Sequence, residues 1–210
     1  QPSDFSEQVG QKLKSKSMPM TIAWKPRLFT VEEYAKMGQA GVFPPGERVE
    51  LIEGEIFPMS PHNPPHSNRI ERLNTLLVMA FGKTHGVRVQ LPLTLNHLSE
   101  PEPDFAIVPL QTWTRHPDRA DLVIEVADSS LSFDRNQKAS VYAKAGIVEY
   151  WILNLKVGRL EVRRDPAASS DAPYGWEYAT LHLLAPGQTI SPLLAPDTSF
   201  EVSQLLGLEV

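Results

Sequence analysis

"LVIEVADSSLSFDRNQKASVYAKAGIVEYWIL", residues 122–153, runs from a β-branched stretch through a serine-rich turn and a helical segment into a second apolar stretch. Its first six residues hold an oddity. Glu125 interrupts Leu122, Val123, Ile124 and Val126, so a carboxylate is carried into what reads as a buried strand. Upstream, "EPEPDFAIV" (100–108) repeats the pattern, with Asp104 directly behind a proline and directly before Phe105, Ala106, Ile107 and Val108. Alternate residues of a strand share a face, which places Asp121, Val123, Glu125 and Ala127 on one side and Leu122, Ile124 and Val126 on the other. Taken alone, Glu125 reads as an edge carboxylate on the more polar face, satisfied by a neighbouring Lys or Arg. Asp104 changes that balance. Two carboxylates on adjacent strands repel, and each costs several kcal/mol to bury unpartnered. A cation between them resolves both costs. Mg²⁺ suits such a cage because it takes oxygen ligands and keeps several waters. The oxygens of Asp104 and Glu125 and the carbonyl after Glu125 are candidate ligands.

Bulk properties narrow the classes. With 210 residues, 41% hydrophobic and 21% charged, the chain reads as an ordinary globular protein with one sizeable core. There is no cysteine, so disulfides and thiolate metal sites are excluded; this fits a reducing compartment, and a cytoplasmic setting is expected. No apolar run approaches the ~20 residues of a membrane span, and no signal peptide or membrane partner is expected. The net charge of −5 is the wrong sign for a broad polyanion binder. A nucleic-acid substrate would have to be met by a metal or a local basic patch.

Residues 1–25 are polar, without apolar period, and read as a flexible arm or an expression leftover; 26–210 read as a single domain. "TVEE" at 30–33 has capping-box form, with Thr30 as N-cap of a short helix. "RVELIEGEIFPMSP" (48–61) predicts a tight hairpin turning at Glu53-Gly54, its second strand ended by Pro58, Pro61, Pro64 and Pro65. Ile70, Leu73, Leu77 and Ala80 mark the buried stripe of a helix over about 66–83. Strands are expected at 87–95, 103–110, 122–128, 148–155, 159–164 and 176–184, and helices at about 133–145, stopped by Gly146, and at 200–207. Ser129, Ser130 and Ser132 are expected to cap the helix that follows them. Tyr150 and Trp151 read as core. The resulting class is α/β of mixed α+β type, a central mixed sheet flanked by helices.

"PD" at 103–104 followed by "EVA" at 125–127 resembles the core of the PD-(D/E)XK nucleases. More closely, the ordered blocks from about residue 28 to 206, above all Glu125 to Trp151, resemble the Uma-two family of restriction endonucleases within that superfamily. The resemblance implies a restriction-endonuclease-like core and a Mg²⁺ site, with Mn²⁺ as a substitute, held by Glu50, Asp104 and Glu125. It also implies that the superfamily lysine, absent at Ala127, is displaced onto the following helix as Lys138. Asp134 and Tyr142 share that helical edge. Small Ala127 leaves room on the Glu125 face. His66, at the start of the long helix, and Gln90 are candidates to orient a substrate or a water.

The function implied is Mg²⁺-dependent hydrolysis of DNA phosphodiester bonds, with DNA as partner and a homodimer left open. Arg69, Arg72, Lys83 and Arg88 are the candidate basic contributors. The rival from another class is a non-catalytic binding domain that keeps the nuclease fold, a reading that Ala127 and the acidic balance favour. A hydrolase of another phosphoester would use the same residues.

Overall fold

The computed structural model describes residues 25–59, 64–112 and 114–208. The proposed arm lies outside these apart from Lys25, as does Pro61 of the hairpin's end. The first element is the capped helix α1 (Val31–Gln39), in which Thr30 N–H donates to Glu33 Oε2 at 3.0 Å and Glu33 N–H to Thr30 Oγ1 at 3.2 Å. β1 (Val49–Ile52) and β2 (Glu55–Pro58) follow as the expected antiparallel hairpin. Both turn residues have positive φ, Glu53 at 48° and Gly54 at 83°, the geometry that matches the twist of a two-residue hairpin. Glycine is demanded here twice over, because a Cβ on Gly54 would lie 2.5 Å from the Leu28 Cβ.

α2 (Pro64–Phe81) buries Ile70, Leu73, Leu77 and Phe81, while Ala80 is only half-buried. A six-stranded sheet then forms in the order β3 (His85–Val89), β4 (Phe105–Pro109), β5 (Leu122–Ala127), β6 (Glu149–Asn154), β7 (Arg159–Ala168), β8 (Trp176–Leu184). All neighbours are antiparallel except β5 and β6, which pair in parallel. Parallel neighbours need a crossover. It is supplied by α3 (Leu131–Phe133), a π-helical turn (Asp134–Lys138) and α4 (Ala139–Lys144). Gly146 stops this segment at φ 76°, as expected. β9 (Thr189–Ile190), β10 (Phe200–Glu201) and α5 (Val202–Leu206) close the chain.

The sheet is sandwiched. Leu122, Ile124 and Val126 pack with Leu73 and Leu77 of α2 and with Leu205 of α5. Val123 and Ala127 pack on the other face with Val141 and Tyr142 of α4 and with Ile52 of the hairpin. Tyr150 and Trp151 are fully buried, as expected. The mixed α+β class holds, with three differences of detail. The strand expected at 87–95 lies at His85–Val89, because Gln90 turns the chain at φ 49°. β5 is not an edge: it is covered on both faces and both sides, so Glu125 is 4% exposed rather than half-solvated. Ser130 occupies the N-cap position without a capping bond, its hydroxyl going instead to Asp134 Oδ2 at 2.7 Å.

Candidate active site

The proline before Asp104 explains how the acid enters the sheet. A proline cannot donate to a ladder, so regular β4 pairing starts only at Phe105, opposite Ile124. One step before that pair, the Asp104 carboxylate takes over a ladder bond, its Oδ2 accepting Val126 N–H at 2.8 Å. In return, Asp104 N–H donates to Glu125 Oε2 at 3.2 Å. The two strand acids are thus locked side by side by backbone donors.

Lys138 arrives from the π-helical turn. Its ammonium lies 2.9 Å from Glu125 Oε1 and 3.3 Å from Glu50 Oε2, with all three side chains at most 6% exposed. Tyr142, one turn on, donates its hydroxyl to the same Glu125 Oε1 at 2.9 Å. Glu50, from β1, also accepts Glu102 N–H at 3.1 Å. Asp134 is 2% exposed and held by Ser130. The π turn, marked by Ala139 N–H bonding Asp134 C=O, keeps Asp134, Lys138 and Tyr142 in line toward the cluster. Ala127 is fully buried with Val141 and Tyr142, and the ammonium that meets Glu125 comes from the helix.

These groups wall a cavity of about 340 Å³, lined by Glu50, His66, Asp104, Glu125, Asp134 and Lys138 among others. His66 Nε2 lies 3.3 Å from Asp104 Oδ1, and Gln90 Nε2 donates to that same oxygen at 3.1 Å. The structure therefore brings all six sequence-selected residues together. They stand differently, however, since His66 lines the cavity and Gln90, bonded to Asp104, does not. Asp134, Ser130 and Tyr142 were not selected as site residues. The i, i+4 spacing of Asp134, Lys138 and Tyr142 was the available signal. Arg69, Arg72, Lys83 and Arg88 are not in the lining; Arg69 bonds the Gly207 carbonyl and Arg88 the Pro92 carbonyl. Arg48 pairs with Glu102, a residue of the cavity wall.

Burial and the surrounding acids dominate the electrostatics. Burial pushes the Glu125 carboxyl well above the usual range; Lys138 opposes this, while Asp104, Asp134 and Glu50 add to it. Burial likewise raises Asp134 to about 6, against the pull of Lys138 and Ser130. For Lys138, burial disfavours the charge, but Glu125, Glu50 and Asp134 outweigh it and hold the ammonium protonated. Burial would raise Asp104 too, yet the His66 hydrogen bond and charge, Val126 N–H and Gln90 bring it below the ordinary value. His66 is raised by its bond to Asp104.

Lys138 pairs with Glu50 and Glu125, and Asp104 and Asp134 line the same cavity. A further cation there would favour the ionised carboxylates that burial otherwise opposes. The donors are hard oxygens, the type Mg²⁺ and Mn²⁺ take. In the present arrangement no group of three His, Cys, Asp or Glu among the described residues converges tightly enough to hold an ion, since Lys138 stands between Glu50 and Glu125.

A mixed sheet with a proline-aspartate entering one strand, a glutamate in the next and a lysine paired with that glutamate is the pattern of a restriction-endonuclease-like protein. The chain belongs to the Uma2 family, described as "Putative restriction endonuclease", whose model matches residues 31–203. Its fold is similar to the crystal structure of a putative nuclease belonging to DUF820 from Anabaena variabilis ATCC 29413. The two share 15% identity at a TM-score of 0.60, over 85% of this chain and 98% of that one. A more distant overlap, 20% identity at a TM-score of 0.34, covers 52% of this chain and 12% of the type IIG restriction endonuclease BpuSI. No curated protein matches the sequence. Among the described residues no helix is long and apolar enough to cross a membrane.

Proposed function

We propose that the protein is a divalent-metal-dependent nuclease that hydrolyses DNA phosphodiester bonds, with Mg²⁺ as its metal and Mn²⁺ as a substitute. The observation that carries this reading is the convergence of Glu50, Asp104, Glu125 and Lys138, from separate elements, on one cavity. Glu50, Asp104 and Glu125 would hold the metal, which when bound polarises the phosphate and lowers the pKa of water. Lys138 shifts from bridging two acids to orienting a water or countering charge on the phosphate. Asp104 and Glu125 are held in place by backbone N–H groups, so little reorganisation is needed on their side. His66 lines the cavity and would meet a phosphate or a water there.

The bridging Lys138 gives specific support to a second reading, a non-catalytic binding domain whose cation is permanently its own lysine. Two measurements separate them: thermal unfolding with and without Mn²⁺, and plasmid nicking, each on the wild type and Asp104→Asn. The nuclease reading expects a stability gain of ~2.7 kcal/mol at a hundredfold excess over the dissociation constant, and nicking that Asp104→Asn abolishes. Unchanged melting with no nicking at millimolar Mn²⁺ leaves the binding domain.

A further inference from the structure

Gln90 was expected to face a substrate; it is not among the residues lining the cavity and instead bonds Asp104, which is. Two bonds tie it there. Its side-chain Nε2 donates to Asp104 Oδ1 at 3.1 Å, and its backbone N–H donates to the Asp104 carbonyl at 3.1 Å. The backbone pays for this reach: Gln90 is one of three non-glycine residues with positive φ among the described ones, at 49°. Such a conformation persists only where the surroundings enforce it, and it clusters at functional sites. The other two occurrences, Glu53 and Asp165, also hold polar side-chain bonds, Glu53 with Ser99 and Asp165 with Thr180. Gln90 differs in that its bond ends on a carboxylate of the cavity wall.

We infer that Gln90 is a positioning residue, its doubly tethered amide fixing the Asp104 carboxylate in the orientation that the cavity uses. The left-handed turn at the end of β3 is what lets a residue leave the sheet and grip Asp104 by main chain and side chain together. An amide suits the task chemically. It donates without carrying charge, so it holds an anion at any pH and leaves the negative charge available to a cation. A lysine in its place would neutralise Asp104, and a glutamate would repel it. His66, which lines the cavity, bonds the same oxygen, but its imidazole can change protonation; the Gln90 amide cannot, and is the constant member of the pair.

The inference rests on the metal-site reading for its consequence but not for its geometry, and the test separates the two. Gln90→Met keeps the length and removes the donor; Gln90→Gly removes the donor and relieves the backbone. Three readouts are needed: the Mn²⁺ dissociation constant by calorimetry, the melting temperature, and the Asp104 side-chain torsions in metal-free crystals. Both variants are expected to bind Mn²⁺ about 10–100-fold more weakly, the usual effect of losing an outer-shell partner of a ligand. The glycine variant is expected to melt above the methionine variant, so weakened binding cannot be ascribed to unfolding. The Asp104 carboxylate should be rotated or doubly occupied in both. An unmoved carboxylate, or, where the wild type binds Mn²⁺, unchanged affinity in both variants, overturns the inference. If the wild type itself binds no Mn²⁺ while Asp104 still reorients in the variants, the positioning role stands and the metal-site reading falls. Where cleavage is measurable, a lowered kcat at unchanged KM for DNA supports positioning, and a raised KM at unchanged metal affinity returns Gln90 to the substrate.

Discussion

Lys138 is the residue on which the chemistry of the site turns. It bridges Glu50 and Glu125 at 3.3 and 2.9 Å with almost no solvent contact. Removing one partner of a buried ion pair strands the other charges, at a cost of ~3–5 kcal/mol. Lys138→Ala is therefore expected to lower metal-free stability by that order in urea unfolding, and Mn²⁺ is expected to return most of the loss. On the proposed mechanism, metal binding should survive because the carboxylates remain, while cleavage should be lost. A variant that cleaves at the wild-type rate would place the lysine outside the mechanism. Asp134 offers a second test through pH. Its pKa is raised from 3.8 to about 6 mainly by burial, so the folded protein holds this proton more tightly than the unfolded chain does. The preference favours folding below about pH 4 and is lost as pH rises through about 6. Asp134→Asn cannot ionise. Its stability relative to the wild type should rise across that window, by on the order of 2 kcal/mol, in melts at matched ionic strength. Parallel pH profiles would show that Asp134 is not raised.

At the scale of elements, the site depends on a hairpin, a strand entry and a wide helical turn meeting. The hairpin β1–β2 delivers Glu50 and is pinned from two sides. Glu53 accepts bonds from Ser99 and Asn96 and pairs with Lys144 of α4, while Gly54 lies against Leu28. Gly54→Ala needs a left-handed backbone, costing ~1–2 kcal/mol, and also a shift of Leu28. It is expected to destabilise the fold by at least that amount and to weaken Mn²⁺ binding through a displaced Glu50, read by unfolding and calorimetry together. Wild-type stability would mean that the hairpin can reshape freely. The capping box, the hairpin turn and the Gly146 stop were legible because each depends on contacts within a few residues. The π turn was not, because a one-residue widening leaves the apolar spacing almost unchanged.

For the whole molecule, the net charge of −5 and the cavity's excess of carboxylates limit how DNA can be held. The four basic residues selected from the sequence lie outside the cavity lining. Duplex binding is therefore expected to be weak and to fall gently with salt, with a slope matching few phosphate contacts at ~0.9 per contact. Mn²⁺ should strengthen it. A steep slope in titrations from low to moderate salt would reveal a basic surface that the acid cavity does not account for.

Glu50 and Lys138 were picked out by the family resemblance, whereas the sequence by itself determined the strand alternation around Glu125, the buried stripe of α2, the turns, and the paired acids Asp104 and Glu125. These follow from local periodicity and from residue types whose chemistry is costly to bury without purpose. Tertiary structure alone decided three things. β5 is central, which turns Glu125 from an edge carboxylate into a buried one with a raised pKa. Lys138 reaches between Glu50 and Glu125, although Ala127 sits nearer to Glu125 in the chain. Gln90 bonds Asp104 and does not line the cavity. Each depends on which strands pair and on where a helix crosses, and long-range packing sets those independently of any local pattern.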